Sequence, residues 1–218
     1  MITIELLETP QQFEKIMLRA IVEALNPAIR KALPAIKKRV SDITIDLFKS
    51  TPTYESLVDG RLSEEFGFVK GTGLNKANAV IDAVAQDINL FFKPLRVSGK
   101  TFIGGIRIGM LDASLRDILS LNEATFITPE NGFPINWLDW LLIRGDQIII
   151  TDHRFSPFSN RGRSGGGIMI QGRGWKVPIS HSGTKGDNWL TRTLDRSVDI
   201  IEDAYSKIIE QEVSKRVR

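Results

Sequence analysis

The hydrophobic period of this chain changes twice. From Phe13 to Leu47, and again from Leu194 to Ile208, apolar residues recur every three or four positions, the spacing that collects them on one face of a helix. Between those regions, from Leu90 to Ile108, the spacing falls to that of strands. No solenoid or propeller period is present, and helices and strands alternate too unevenly for a regular parallel α/β array. The pattern predicts an α+β fold with a small, mostly antiparallel sheet packed with helices, an N-terminal helical region over 9–50 and a long C-terminal helix. With 218 residues and no Pro/Ser-rich linker or charge block, the chain is expected to form a single domain.

Local chemistry places the elements. Thr9-Pro10-Gln11-Gln12 reads as a capping box with proline at the first helical position, followed by an inward face of Phe13, Ile16, Met17, Ala20, Ile21 and Ala24. Asn26-Pro27 is expected to interrupt that helix. A second stripe, Ile29, Leu33, Ile36, Val40, Ile43 and Leu47, then steps by four and three, with Pro34 kinking it or resetting its start. Further helices are predicted from Tyr54 to Phe66 with Gly67 at the close, over Asn75–Ile88 with Ala77, Val80, Ile81 and Val84 inward, and after Asp112. Ser98-Gly99 reads as the turn of a hairpin, and the adjacent Gly104-Gly105 as a bulge or a close backbone approach. Ala124–Thr128 reads as a strand, Pro134 as the start of an aromatic helix to Arg144, and Gln147–Thr151 as a buried strand. The last helix, from about Asn188 towards Val217, carries Leu194, Val198, Ile201, Tyr205 and Ile208 as its stripe.

Composition excludes much chemistry. There is no cysteine, so disulfides, thiolate nucleophiles and thiolate metal sites are absent, and two histidines, His153 and His181, are too few for a histidine-rich centre. Asp152-His153 with Ser156 is not a triad, because neighbours in sequence do not orient an imidazole, and His153 is expected in a loop. Ser98-Gly99-Lys100-Thr101 ends like a phosphate loop, but no glycine stands where that motif requires its first, and the segment reads as a hairpin turn between strands. Carboxylate pairs such as Glu64/Glu65 and Glu202/Asp203 read as ordinary solvated faces. No catalytic residue, cofactor or metal ligand is therefore assigned. The N-terminus lacks the basic start and apolar run of a secretion signal, and no stretch is apolar enough for a membrane helix, so assembly in a cytoplasm without membrane contact is expected.

One segment departs from the average. The formal charge is only +3, from 29 basic and 26 acidic residues, yet between His153 and Gly186 there are six cations, Arg154, Arg161, Arg163, Arg173, Lys176 and Lys185, and no acid. Glycines at 162, 165, 166, 167, 172 and 174 loosen its middle. This stretch reads either as a basic, adaptable arm for phosphates or an acidic neighbouring protein, or as a solvated surface hairpin. Under the first reading Arg161, Arg163 and Gly165 are interface residues and Trp175 an anchor. Deleting 160–167 is then expected to spare the fold and block assembly.

Two stretches carry a resemblance. Residues 52–67, Pro-Thr-Tyr-Glu-Ser-Leu-Val-Asp-Gly-Arg-Leu-Ser-Glu-Glu-Phe-Gly, resemble a segment of tailed-phage virion proteins related to the tail-completion, or neck, family. The run Trp137-Leu138-Asp139-Trp140-Leu141-Leu142, then Asn160-Arg161-Gly162-Arg163-Ser164-Gly165, Trp175-Lys176-Val177-Pro178 and Gly183–Arg192 is similar to a run of the same proteins. The resemblance implies a non-enzymatic subunit of the virion, a homo-oligomeric ring at the head–tail connector. An arm would engage neighbouring connector, tail-terminator or tail-tube proteins, with DNA in the channel as a further contact.

Overall fold

A computed structural model describes residues 9–109, 112–127, 132 and 134–217. Among these, seven α-helices and three two-stranded antiparallel ladders make an α+β structure, with long helices at both ends. The chain groups into two compact units, 1–40 with 88–109 and 202–218, and 41–87 with 110–201.

In the first unit, α1 (Pro10–Lys49) begins at the expected capping box. The Gln12 N–H donates to Thr9 Oγ1 at 3.3 Å, and the Thr9 N–H donates to Gln12 Oε1 at 2.8 Å. The helix does not stop at Asn26-Pro27. It runs through both Pro27 and Pro34, each of which lacks the N–H that would bond four residues back. Burial of Ala28, Ile29, Ala32, Ile36 and Val40 along one face outweighs those losses.

The hairpin of β1 (Asn89–Ser98) and β2 (Thr101–Gly109) lies along this helix. Its tip is tied by Lys100 Nζ to Glu14 Oε2 at 3.1 Å. Further along, the Asn26 amide brackets Leu95, with Nδ2 donating to its carbonyl at 3.0 Å and Oδ1 accepting its N–H at 2.7 Å. The register shifts between Lys93 and Arg96, as the paired glycines suggested, leaving Leu95 in the irregular stretch. Asn26 thus satisfies backbone groups at the point where the ladder is disturbed. Gly104 (φ 116°) is required opposite, since a Cβ would come within 2.5 Å of the Pro94 carbonyl oxygen.

This arrangement reverses the expected face of the helix. Glu14, Leu18, Val22, Leu25 and Asn26 are half-buried, whereas Phe13, Ile16, Met17 and Ile21, expected inward, are exposed. The C-terminal half of α7 (Trp189–Val217) meets α1 through Glu212, which lies 2.9 Å from Lys31 Nζ and 2.6 Å from Lys215 Nζ. Those two ammonium groups, Lys215 first, lower the Glu212 pKa.

The second unit holds the main core. α2 (Pro52–Asp59) is capped by Thr51, whose Oγ1 accepts the Tyr54 N–H at 3.2 Å. Gly60 separates it from α3 (Arg61–Glu65), so the single helix expected here is two. α4 (Gly73–Gln86) buries Ala77, Val80, Ile81 and Val84 as its period requires. α5 (Asp112–Leu119) turns Ile118 inward, and a 3₁₀ turn over Asn122–Ala124 leads to β3 (Thr125–Ile127). Its partner β4 (Pro134–Asn136) is a correction, because these residues were expected to open a helix. Asn136 instead caps α6 (Trp137–Leu142) by accepting the Asp139 N–H at 2.9 Å. Residues 147–151, expected as a buried strand, form only an isolated bridge between Ile150 and Trp175, and Ile148 is exposed. β5 (His153–Ser156) pairs with β6 (Ile168–Gln171), so His153 opens a strand and is not in a loop. Asn188 caps α7, its Oδ1 accepting N–H groups of Leu190 and Thr191 at 2.9 and 3.2 Å. The buried face of that helix passes through Leu190, Thr193, Ser197 and Ile201, which leaves Val198 outside it at 50% exposure.

Candidate functional site

The basic segment is a hairpin bound to its own unit. Between β5 and β6 the loop folds tightly, with Gly165 N–H donating to the Gly162 carbonyl at 2.9 Å and Gly162 N–H to that of Gly166 at 3.1 Å. It then docks on the turn after α3. Lys70 N–H donates to the Arg163 carbonyl at 3.2 Å, and Gly167 N–H donates to Glu64 Oε2 at 3.4 Å. Gly166 permits this approach, since a Cβ there would lie 2.0 Å from Glu64 Oε1. Deleting 160–167 would remove these contacts along with the loop.

The two arginines differ. Arg163 sits over the Phe126 ring, its guanidinium carbon 5.3 Å from the centroid, and Nη1 donates to the Ile127 carbonyl at 3.4 Å. Arg161 is exposed and its guanidinium has no protein partner among the described residues. Gly165 is exposed, with the Lys70 side chain beside it. All six cations of the segment are exposed.

Trp175 was expected as an anchor for a neighbour. It is 5% exposed and lies within the core of its own unit, 6.0 Å from the Phe66 ring and 5.6 Å from Trp140. Burial removes it from the surface set. A large aromatic beside a basic loop looks the same in sequence whether it faces inward or outward.

Beneath the loop is a cleft of about 330 Å³ whose lining includes Glu64, Glu65, Phe126, Trp140, Arg161 and Arg163. Glu65 is buried, and its Oε1 accepts from Arg61 Nε at 2.5 Å. Burial raises its pKa, opposed by the hydrogen bond and charge of Arg61 and by the nearby indole N–H of Trp175. That N–H approaches the carboxylate without reaching bonding geometry, leaving Trp175 Nε1 and Glu65 Oε2 without a formed hydrogen bond. His181, with Nδ1 3.0 Å from Thr53 Oγ1, has its pKa lowered by burial and then by the Arg61 charge. No three His, Asp or Glu side chains converge as metal ligands among the described residues. No helix among them is long and apolar enough to cross a membrane.

The loop rests on Glu64, Lys70 and Phe126. The Glu64/Glu65 pair was expected as a solvated face, but Glu65 is buried and Glu64 receives the Gly167 N–H, while Lys70 and Phe126 are far from the loop in sequence and carry no motif of their own. Sequence reasoning also passed over residues 89–109, which hold Lys93, Arg96, Lys100 and Arg107 and no acid. That run is a second acid-free stretch, legible by the same charge count.

No family model, curated protein or solved structure matches this chain.

Proposed function

We propose that this chain is a non-enzymatic structural subunit of a tailed-phage particle, a ring-forming neck or tail-completion protein between head connector and tail. One observation carries the reading. The two stretches that resemble phage neck proteins are separated by about seventy residues, yet they pack together. Phe66, from the first stretch, lies 5.7 Å from Trp137, 6.2 Å from Trp140 and 6.0 Å from Trp175, all from the second. Trp189 Nε1 also donates to Thr51 Oγ1 at 2.9 Å, beside the first stretch. Each aromatic pair adds about 0.5–1.5 kcal/mol beyond burial. The matched stretches thus form one continuous part of a single core, the arrangement expected of segments that belong to one family fold.

The neighbours in this reading are further copies of the chain and adjoining connector, tail-terminator or tail-tube proteins. Arg161 is among the residues placed to meet them, since its guanidinium is exposed with no protein partner among the described residues. Image reconstruction of purified particles tests the role. Density for this chain in a ring at the neck supports it, whereas its absence from particles or a position away from the neck overturns it.

A second reading is nucleic-acid binding through 153–186, favoured by the six exposed cations. It requires duplex or single-strand binding that weakens steeply with salt and falls on Arg161→Ala with Arg163→Ala. No binding near physiological salt removes it.

A further inference from the structure

The first unit contributes nothing to the large buried cluster, whose members all lie within residues 48–190. It nevertheless exposes Phe91, Phe102 and Ile103 on a hairpin that, among the described residues, has no third strand. Isolated two-stranded hairpins are marginal in water and have open edges, so such a surface gains from a cover.

The register fixes what that surface presents. Phe91 pairs with Arg107, Lys93 with Gly105 and Arg96 with Ile103. In a regular strand Lys93 and Arg96, three residues apart, would point to opposite faces. On β2 their partners Gly105 and Ile103 are two apart and share a face, so the irregularity at Pro94-Leu95 returns Arg96 to the face of Lys93. The result is one exposed face with Phe91, Lys93, Arg96, Ile103 and Arg107. Among the described residues, no ion pair engages any of its three cations.

A surface of opposite charge lies on α7. Asp195, Val198 and Asp199 are exposed and fall on one helical face, and neither aspartate has an ion-pair partner among the described residues. Val198 is the member of the expected stripe that the fold left in solvent.

We infer that the cationic face of the β1–β2 hairpin docks on the Asp195–Val198–Asp199 face of α7 in a second copy of the chain. Arginine and lysine meet aspartate while Phe91 and Ile103 cover Val198. The two surfaces differ, so the contact is head-to-tail and propagates from copy to copy into a ring where its rotation closes. The inference rests on the ring-forming reading above and supplies its interface. Apolar residues among the cations favour this partner over a phosphate backbone, which offers them nothing to cover.

Sedimentation velocity over a concentration series tests it, with circular dichroism checking each fold. The wild-type chain is expected to associate. Lys93→Glu with Arg96→Glu should weaken association at least about tenfold, as should Asp195→Lys with Asp199→Lys. An equimolar mixture of the two should recover it, since each then meets a complementary face. If the first pair disturbs the hairpin, Arg107→Glu alone probes the same face. A monomeric wild type, variants that associate unchanged, or a mixture without recovery would each overturn the docking. So would a hairpin variant that loses binding to labelled duplex DNA while associating normally, which would assign the face to nucleic acid. Particle imaging reads the virion role separately, so a ring at the neck with unaffected variants rejects this interface and retains the function.

Discussion

Asn26 shows how one side chain sets a surface. Its amide donates to and accepts from Leu95 where the hairpin register shifts, and that shift places Lys93 and Arg96 on one face. Asn26→Ala removes both bonds and strands two partly buried backbone groups, at a cost of about 1–3 kcal/mol. Hydrogen exchange at the Leu95 amide should accelerate in this variant while exchange in α4 stays unchanged. Glu65 makes the second case. Its pKa is raised in the folded chain, so the folded state keeps a proton that the unfolded state loses above its ordinary value of 4.5. The stability linked to this proton is full below that value and declines as pH rises through the folded pKa. Glu65→Gln should therefore lose less thermal stability than wild type as pH is raised above 4.5. An equal loss in both proteins would place the linkage elsewhere.

At the scale of elements, the β1–β2 hairpin depends unequally on its adjacent glycines Gly104 and Gly105. Both have φ in the region that L residues rarely adopt, 116° for Gly104 and 125° for Gly105, but only Gly104 also has backbone within 4 Å of an added Cβ. Gly105→Ala should cost about 1–3 kcal/mol through strain alone. Gly104→Ala should cost more, because the Pro94 carbonyl must also move. Urea unfolding of the two variants orders them, and equal costs would show that the bulge relaxes freely. The N-terminal helix teaches a different lesson. Its sequence carries two apolar stripes, Phe13/Ile16/Met17/Ile21 and Leu18/Val22/Leu25, and periodicity alone selected the first. The hairpin covers the second, because Glu14 and Asn26 lie on that side and bind Lys100 and Leu95. Pro27 misled for a related reason. It is a local break signal, and burial along the same helix overrides it.

For the whole molecule, the unequal sharing of the core has a dynamic consequence. Local opening is cheapest where few apolar contacts are buried. In the isolated chain, amides of β1 and β2 should exchange faster than those of α4 and α6, and assembly should protect the hairpin selectively. Uniform exchange across both units would contradict this division. What the sequence determined alone follows from short-range physics: the α+β class, the capping box at Thr9, the inward face of α4, the turn at Ser98-Gly99 and the absence of thiol chemistry. Each depends on residues within a few positions of one another. Only the tertiary structure decided which stripe of α1 is covered, that Trp175 belongs to the core, that Val198 stays in solvent and that the basic loop rests on Glu64 and Phe126. Those outcomes depend on which distant surface arrives opposite a residue. A one-dimensional period records that a face is apolar, and it carries no information about what will cover it.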